Sequence, residues 1–178
     1  MKIFVGLAGK IASGKTTAAN YLKRKHYFEI LRFRDIIVDI LKDKGMEVNR
    51  TNMQKIGEEI YSLLGPKLFS ELLLCKVRRE SDRYVIDSIR HIGIHLALKE
   101  KLDNYFLLFI DSDNDKRNER LKVRDGANIN VYLLEGHPVE QEIDNLKKYA
   151  DYILTNNKDV SSLYKKIDKI VSQILGGR

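Results

Sequence analysis

Eight residues near the start of the chain have the types and the spacing that bind a polyphosphate. The stretch Gly9-Lys10-Ile11-Ala12-Ser13-Gly14-Lys15-Thr16 fits the pattern G-x-x-x-x-G-K-[ST] without a mismatch. The two motif glycines allow backbone conformations that are closed to residues with a Cβ, so successive N–H groups can turn inward around a phosphate. The pattern therefore indicates a P-loop that binds a nucleoside triphosphate.

The side chains of this loop supply the remaining contacts that a triphosphate needs. Lys15 is expected to reach the β- and γ-phosphates, and the Thr16 hydroxyl is placed to ligate Mg²⁺. The hydroxyls of Ser13 and Thr17 can add further hydrogen bonds. We predict ATP and Mg²⁺ as cofactors, with these residues at the ATP site: Gly9, Ala12, Ser13, Gly14, Lys15, Thr16 and Thr17.

Strands must carry this loop and the residues that act with it. The loop follows an apolar run at residues 3–8 and precedes a helix start, which is the position that a P-loop requires. A second strand, residues 27–33, is followed by Arg34 and Asp35. Since ligands gather at the carboxyl ends of strands in open α/β sheets, both are candidates for acceptor binding. Asp35 is also a candidate helix cap, because an apolar helical run begins at residue 36.

A third short strand, residues 84–86, runs into Asp87 and Arg90. An aspartate at the tip of an apolar strand is the usual carboxylate that holds Mg²⁺ through its water shell in P-loop proteins. Arg90 is placed to clamp a phosphate of the acceptor. The alternative is a strand-end turn with a solvated arginine.

Two helices are predicted between the second and third strands, at residues 51–64 and 67–78, with a break at Gly65-Pro66. Gly57 in the first helix costs about 1 kcal/mol against alanine, which indicates a close approach by another group. Cys75 lies among leucines in the second helix, so we predict that it is buried. One cysteine cannot form an internal disulfide, which fits a reducing compartment.

Three arginines follow the apolar strand at residues 105–110. Arg117, Arg120 and Arg124 are spaced three and four apart on a predicted helix, hence on one side of it. Guanidinium groups on one face repel each other unless a polyanion lies there, so we predict that Arg120 and Arg124 stabilise the transferred phosphoryl group. A solvated basic face is the alternative. The acidic residues 111–115 resemble a calcium loop, but lysines occupy the required glycine and glutamate positions.

The remaining features are less informative about chemistry. Residues 125–137 are polar and glycine-containing, which favours a mobile lid segment. His91 and His95 are four apart on a predicted helix, yet no H-E-x-x-H pattern joins them and no third histidine or cysteine is near. We therefore expect solvated histidines rather than a metal pair.

Composition restricts the class of protein. The 178 residues fit one domain, 1–178, and the fractions of hydrophobic (43%) and charged (32%) residues are those of a globular chain. The net charge of +7 is spread along the chain rather than gathered in a block, so nucleic acid is not the expected partner. No apolar run approaches the ~18 residues that cross a bilayer. We expect a cytoplasmic monomer or homodimer.

The order of these parts resembles the nucleoside monophosphate kinase group of P-loop kinases. The likeness covers nearly the whole chain and is closest to archaeal adenylate-kinase-related proteins and phage-type deoxynucleoside monophosphate kinases. Their patterns include Gln54-x-x-Gly57, Asp87-x-x-Arg90 and His137-Pro138-x-Glu140.

This resemblance implies a three-layer α/β/α fold with a five-stranded parallel sheet. It also implies a helical acceptor-binding insert at about residues 36–80 and a short lid at about residues 112–137. By the same resemblance, Gln54, Gly57 and Arg90 contact the acceptor, Arg120 and Arg124 are lid arginines, and the Asn156-Asn157 loop forms a wall of the adenine site. One position departs from the pattern. Adenylate kinases carry an arginine one turn after the aspartate that corresponds to Asp35, where this chain has Val38.

The leading functional prediction is transfer of the ATP γ-phosphoryl group to a (deoxy)nucleoside monophosphate. A dephospho-CoA kinase, or another kinase that phosphorylates a hydroxyl group, is the alternative, with Asp35 as the general base. A regulatory ATPase that binds nucleic acid is the alternative from another class. A GTP switch is disfavoured, because the D-x-x-G and N-K-x-D patterns are not matched.

Overall fold

Five parallel strands form a single sheet at the centre of the molecule. The structure is a computed structural model that describes residues 1–125 and 138–176. In chain order the strands are β1 (Ile3–Ala8), β2 (Glu29–Arg32), β3 (Arg83–Asp87), β4 (Tyr105–Asp111) and β5 (Tyr152–Thr155). They lie side by side in the order β2-β3-β1-β4-β5, which puts the P-loop strand β1 in the middle. The predicted five-stranded parallel sheet is confirmed.

Helices connect the strands. In chain order they are α1 (Lys15–His26), α2 (Phe33–Asp43), α3 (Arg50–Leu74), α4 (Ile92–Lys101), α5 (Asn114–Asp125), α6 (Pro138–Leu146) and α7 (Val160–Gly176). A turn of 3₁₀-helix, Lys147–Tyr149, joins α6 to β5. None of the helices in the described ranges has the length and apolar character needed to cross a membrane.

The core consists of two apolar clusters, one on each face of the sheet. Successive side chains of a strand point to opposite faces, so the residues of β1 alternate between the clusters, with Phe4 in one and Val5 in the other. Helices α3, α4 and α6 contribute to the first cluster, and α1 and α7 contribute to the second. Because both faces of the central strands are covered, β1 and β4 consist of nearly continuous apolar runs, as is typical of buried parallel strands.

The predicted break in the helical insert is at the expected residue, but the second helix differs from the prediction. Gly65 leaves helical geometry with φ 67° and ψ 174°, and the chain then continues as α3 to Leu74, four residues short of the predicted end. After this kink Phe69 and Leu73 are buried. Cys75 is exposed, so the prediction of a buried cysteine is wrong.

Both histidines of the 91–95 pair are in contact with protein groups, and the prediction that they are solvated is wrong. His95 is fully buried, with Nδ1 3.3 Å from the Tyr105 hydroxyl, and burial lowers its pKa. The His91 ring stacks on Tyr61 at 4.2 Å, and its Nδ1 lies 2.9 Å from a carboxylate oxygen of Glu142. Within the described ranges, no cluster of three or more metal-ligating side chains is placed to hold an ion.

Candidate active site

The P-loop lies at the carboxyl end of β1 and uses its glycines as the motif requires. Gly9 and Gly14 have φ values of 137° and 108°, in the region that favours glycine. A Cβ on Gly9 would overlap the backbone carbonyl of Ile110, and one on Gly14 would lie 2.5 Å from Nδ2 of Asn156. The loop is therefore packed tightly between the ends of β4 and β5.

The P-loop lysine is held against its own loop. Lys15 is the first residue of α1 and is largely buried, and its Nζ donates to the carbonyl oxygens of Gly9 at 2.6 Å and Lys10 at 2.8 Å. The Ser13 hydroxyl is fully buried and has no hydrogen-bond partner among the described residues. A buried hydroxyl that lacks a partner is unfavourable by about 1–3 kcal/mol, and a phosphate oxygen would satisfy it. Thr17, also predicted at the ATP site, is exposed at the start of α1.

The two predicted metal residues lie together. The Thr16 hydroxyl donates to Oδ2 of Asp87 at 3.2 Å, and Asp87 is only 6% exposed at the end of β3. Ser88, which has a positive φ of 70°, donates from its hydroxyl to Oδ1 at 3.1 Å. A hydroxyl and a carboxylate are the oxygen ligands that Mg²⁺ prefers, so this pair fits the ion.

Arg32 joins this cluster and was not among the predicted residues. It is the last residue of β2, which pairs with β3, and its Nε lies 3.4 Å from Oδ2 of Asp87. The guanidinium partly neutralises a carboxylate that would otherwise be buried without a charged partner. The rule that site residues lie at strand tips would have found Arg32, had the predicted strand ended one residue earlier.

Two of the three arginines of α5, Arg117 and Arg120, reach the P-loop from one side of the helix. Arg117 is fully buried, with Nη2 donating to Oδ1 of Asn114 at 2.6 Å and Nη1 donating to the P-loop carbonyl of Ile11 at 3.4 Å. Arg124, in contrast, is exposed near the end of the helix. Arg117 is therefore not part of a solvated basic face, because the carbonyl of Ile11 and the side chain of Asn114 accept its hydrogen bonds inside the protein.

Arg120 also reaches the P-loop. Its Nη1 donates to the carbonyl of Ala12 at 3.3 Å and to the Ser112 hydroxyl at 3.1 Å, and its Nη2 donates to the backbone carbonyl of Asn156 at 2.8 Å. In this structure the guanidinium contacts the carbonyl side of the loop.

The loop after β5 contacts the P-loop through Asn156. The side chain of this buried residue donates from Nδ2 to the carbonyl of Ser13 at 2.8 Å. Asn157, which we predicted at the ATP site, instead accepts the backbone N–H of Asp113 at 2.8 Å. The sequence predicts both asparagines at the polar end of the last strand, but their spacing does not show which of the two side chains turns inward.

On the acceptor side, α2 begins at Phe33, three residues earlier than predicted. Its cap position is Arg32, and no side chain caps it, so Asp35 lies in the first turn and a capping role for it is wrong. Arg34 and Asp35 are both exposed, and neither makes a hydrogen bond or ion pair with any other described residue. Their position, one turn beyond the tip of β2, keeps them at the same edge of the sheet as Asp87.

Three more predicted acceptor residues lie around this edge or on the insert. Arg90 is exposed beyond the tip of β3 and has no ion pair in the described part of the chain. Gln54 donates to Glu58 at 3.1 Å on α3. The close approach predicted at Gly57 comes from helix α2, since a Cβ there would lie 3.1 Å from Cδ1 of Ile37. Close packing against α2 therefore explains why a glycine occupies position 57.

Part of the predicted lid lies outside the described residues. This applies to residues 126–137 and to the side chains of the His137-Pro138-x-Glu140 pattern. On the far side of that segment, Asp144 of α6 forms an ion pair with Lys10 of the P-loop at 2.9 Å. Helix α6 therefore contacts the ATP-binding loop.

A parallel sheet with a P-loop after its central strand, and a hydroxyl–carboxylate pair beside that loop, define a P-loop kinase. The chain belongs to the AAA domain family, whose model matches residues 5–132.

The relatives agree with this class. The chain is 25% identical to the dephospho-CoA kinase of Rickettsia typhi, with 96% of each chain covered. It is 27% identical to a UPF0200 protein of Pyrobaculum aerophilum, with 96% of this chain and 97% of the other covered. The crystal structure of shikimate kinase from Aquifex aeolicus has the same fold, with a TM-score of 0.63 at 18% identity over 99% and 100% of the two chains. These matches support a kinase; they do not extend to the narrower nucleoside monophosphate kinase group.

Proposed function

We propose that this kinase transfers the γ-phosphoryl group of ATP to a hydroxyl group of a small nucleotide-like acceptor, of the class to which dephospho-CoA belongs. The observation that carries the proposal is the position of Asp35. Its carboxylate is exposed, makes no hydrogen bond or ion pair within the described residues, and follows the strand that pairs with the strand of Asp87. The 25% identity to a dephospho-CoA kinase over nearly the full length of both chains supports the same acceptor class.

On the donor side, the P-loop amides and Lys15 would hold the β- and γ-phosphates of ATP. Thr16 and Asp87 would hold Mg²⁺, whose charge stabilises the negative charge on the phosphates during transfer. The Ser13 hydroxyl would gain a phosphate oxygen as its partner. Buried groups that are already in place need little rearrangement, which favours electrostatic stabilisation of the transferred group.

On the acceptor side, Asp35 would take the proton of the acceptor hydroxyl. The hydroxyl oxygen then attacks the γ-phosphorus, the bond from that phosphorus to the bridging oxygen breaks, and ADP leaves. A hydroxyl is a poor nucleophile until it loses its proton, and a positioned base is worth about 10²- to 10⁴-fold in rate. The exposed guanidinium groups of Arg34 and Arg90 would bind phosphate groups of the acceptor.

A (deoxy)nucleoside monophosphate is the second candidate acceptor. Arg34 and Arg90 favour it, since two exposed arginines at one sheet edge suit a terminal phosphate. A phosphate is already a nucleophile and requires positioning rather than deprotonation, so this reaction would leave Asp35 without a chemical role. Val38, in place of the arginine that adenylate kinases carry, also weighs against an AMP-type site.

An acceptor screen tests the proposal. The protein is incubated with ATP and Mg²⁺ and with dephospho-CoA or one of AMP, CMP, UMP, GMP and their deoxy forms, and the products are identified by mass. Formation of CoA supports the proposal. A nucleoside diphosphate formed from one monophosphate contradicts it and supports the second candidate.

The Lys15→Met variant is the control for contaminating kinases, because it should retain the fold and lose the phosphate contact. If nothing is phosphorylated although ATP binds, both acceptors are wrong. ATP hydrolysis stimulated by RNA or DNA would then support the regulatory ATPase.

A further inference from the structure

Three successive carbonyl groups of the P-loop accept hydrogen bonds from side chains far along the chain. Ile11 accepts from Arg117, Ala12 accepts from Arg120, and Ser13 accepts from Asn156. The first two donors lie on α5 and the third lies on the loop between β5 and α7. The same Arg120 also donates to the backbone carbonyl of Asn156, so two of the donors are linked to each other.

We propose that Arg117, Arg120 and Asn156 form a carbonyl clamp that fixes the phosphate-binding shape of the P-loop. In this role the three are positioning residues, which act on ATP through the loop backbone. The inference goes beyond the proposed function, because it concerns the donor site and does not depend on the acceptor.

Peptide geometry gives the clamp its effect. The C=O of one residue and the N–H of the next belong to one planar trans unit and point in opposite directions. Carbonyl groups that are held toward α5 and the β5–α7 loop therefore direct the N–H groups of Ala12, Ser13 and Gly14 to the other side. The Ser13 N–H shows this direction, since it donates across the loop to the carbonyl of Lys10 at 3.1 Å.

The backbone of Ala12 supports the inference. This residue has a positive φ of 59°, in the left-handed region that a residue with a Cβ adopts only at an energetic cost. Such a conformation persists when the surroundings determine it from several sides. The clamp holds the carbonyl group of Ala12 itself and those of its two neighbours, Ile11 and Ser13.

The charges of the clamp also act on the ligand. Arg117 is fully buried and Arg120 is partly buried, so two guanidinium groups lie directly behind a loop that binds polyanions. A buried charge is poorly screened by solvent and contributes strongly to the local potential. Loss of either group should therefore weaken the binding of any nucleotide phosphate, whether or not a transfer occurs.

Binding of ADP in the absence of acceptor tests the clamp, because it involves neither the transferred phosphoryl group nor the acceptor site. For Arg120→Met we expect roughly a tenfold rise in the Kd of ADP, with a similar rise for ATP, as follows from loss of charged hydrogen bonds. Asn156→Ala should also raise the Kd of ADP and the Kd of ATP, and both should rise by the same factor. Arg120→Lys, which can still donate to one carbonyl, should recover part of the affinity.

Lys122→Met is the matched control, since it removes a positive charge from an exposed position of the same helix and should leave the Kd of ADP unchanged. Thermal melting without nucleotide identifies variants that fail to fold, and Arg117→Met is interpreted only if it melts cooperatively. The amide resonance of Gly14 in a ¹H–¹⁵N NMR spectrum should shift in Arg120→Met and not in Lys122→Met.

The clamp is refuted if Arg120→Met and Asn156→Ala are folded and bind ADP within about twofold of wild type. An unchanged Kd together with a large fall in kcat for Arg120→Met would also overturn it. That result would assign Arg120 to direct stabilisation of the transferred phosphoryl group.

Discussion

Replacement of Asp35 by asparagine tests the chemistry of the acceptor site most directly. The carboxylate is exposed in the first turn of α2 and has no partner within the described residues, so folding should barely change. A negative charge in the first turn stabilises a helix by about 0.3–1 kcal/mol, and this is the largest stability loss that we expect. If Asp35 deprotonates a hydroxyl, kcat should fall by about 10²- to 10⁴-fold, equivalent to about 3–5.5 kcal/mol in the barrier.

The assay measures ADP release with the acceptor that the screen identifies, together with product mass. Because asparagine has nearly the shape of aspartate, KM for ATP should stay close to wild type. Asp39→Asn is the matched control. It lies one turn later on the same helix, is exposed, and pairs with Lys76 at 2.9 Å.

A normal kcat for the Asp35 variant would refute the reasoning, since no positioned base would then be in use. An equal loss in both variants would refute it too, because the effect would follow from the charge of α2 and not from proton transfer. A rise in KM with kcat unchanged would make Asp35 a binding residue.

Three further outcomes follow from the structure. Gly14→Ala should abolish nucleotide binding and lower the Tm, because the new Cβ would lie 2.5 Å from Nδ2 of Asn156 and the backbone φ is 108°. Gly45→Ala is the control. A Cβ there meets no atom within 4 Å, so this variant should lower the Tm without affecting ADP titration. Lys15→Met should lose ATP turnover yet keep a melting temperature near wild type, and a large fall in that temperature without nucleotide would contradict the prediction. Burial lowers the folded-state pKa of His95, so the unfolded chain gains the proton first as the pH falls, and stability should decrease below about pH 6.5. Urea unfolding at about pH 7.5 and 5.5 measures this change, and an equal pH dependence in His95→Gln would refute its assignment to His95.

The sheet and the P-loop were predictable because their signals are local. A strand that is buried on both faces must be apolar throughout, and a loop that turns its amides inward must place glycine where φ is positive. Gly9 and Gly14 meet that requirement. The pairing of Thr16 with Asp87 followed from two independent motifs that meet at one sheet edge.

The errors arose where the partner of a residue is distant in sequence. Helix α5 has almost no apolar residues, so nothing in its pattern indicates that Arg117 is buried, and one of its acceptors is the backbone carbonyl of the distant Ile11. Cys75 was misplaced because α3 ends at Leu74, so Cys75 lies at the exposed C-terminal cap of the helix instead of on its buried side. The ring of His95 is buried beside the rings of Tyr105 on β4 and of Tyr149 in the 3₁₀ turn, and helical spacing reveals neither contact.

The long sequence separation between the P-loop and its clamp affects the time at which the protein becomes active during synthesis. Ile11 and Arg117 are 106 positions apart, and Ser13 and Asn156 are 143 positions apart. At about 5–20 residues per second, a ribosome adds Arg117 or Asn156 on the order of 10 s after the P-loop residue that it contacts. With the clamp as proposed, the P-loop sequence leaves the ribosome early, and its binding shape should be complete only after β5 has been made. An incomplete chain that ends before β5 should therefore hold ATP weakly.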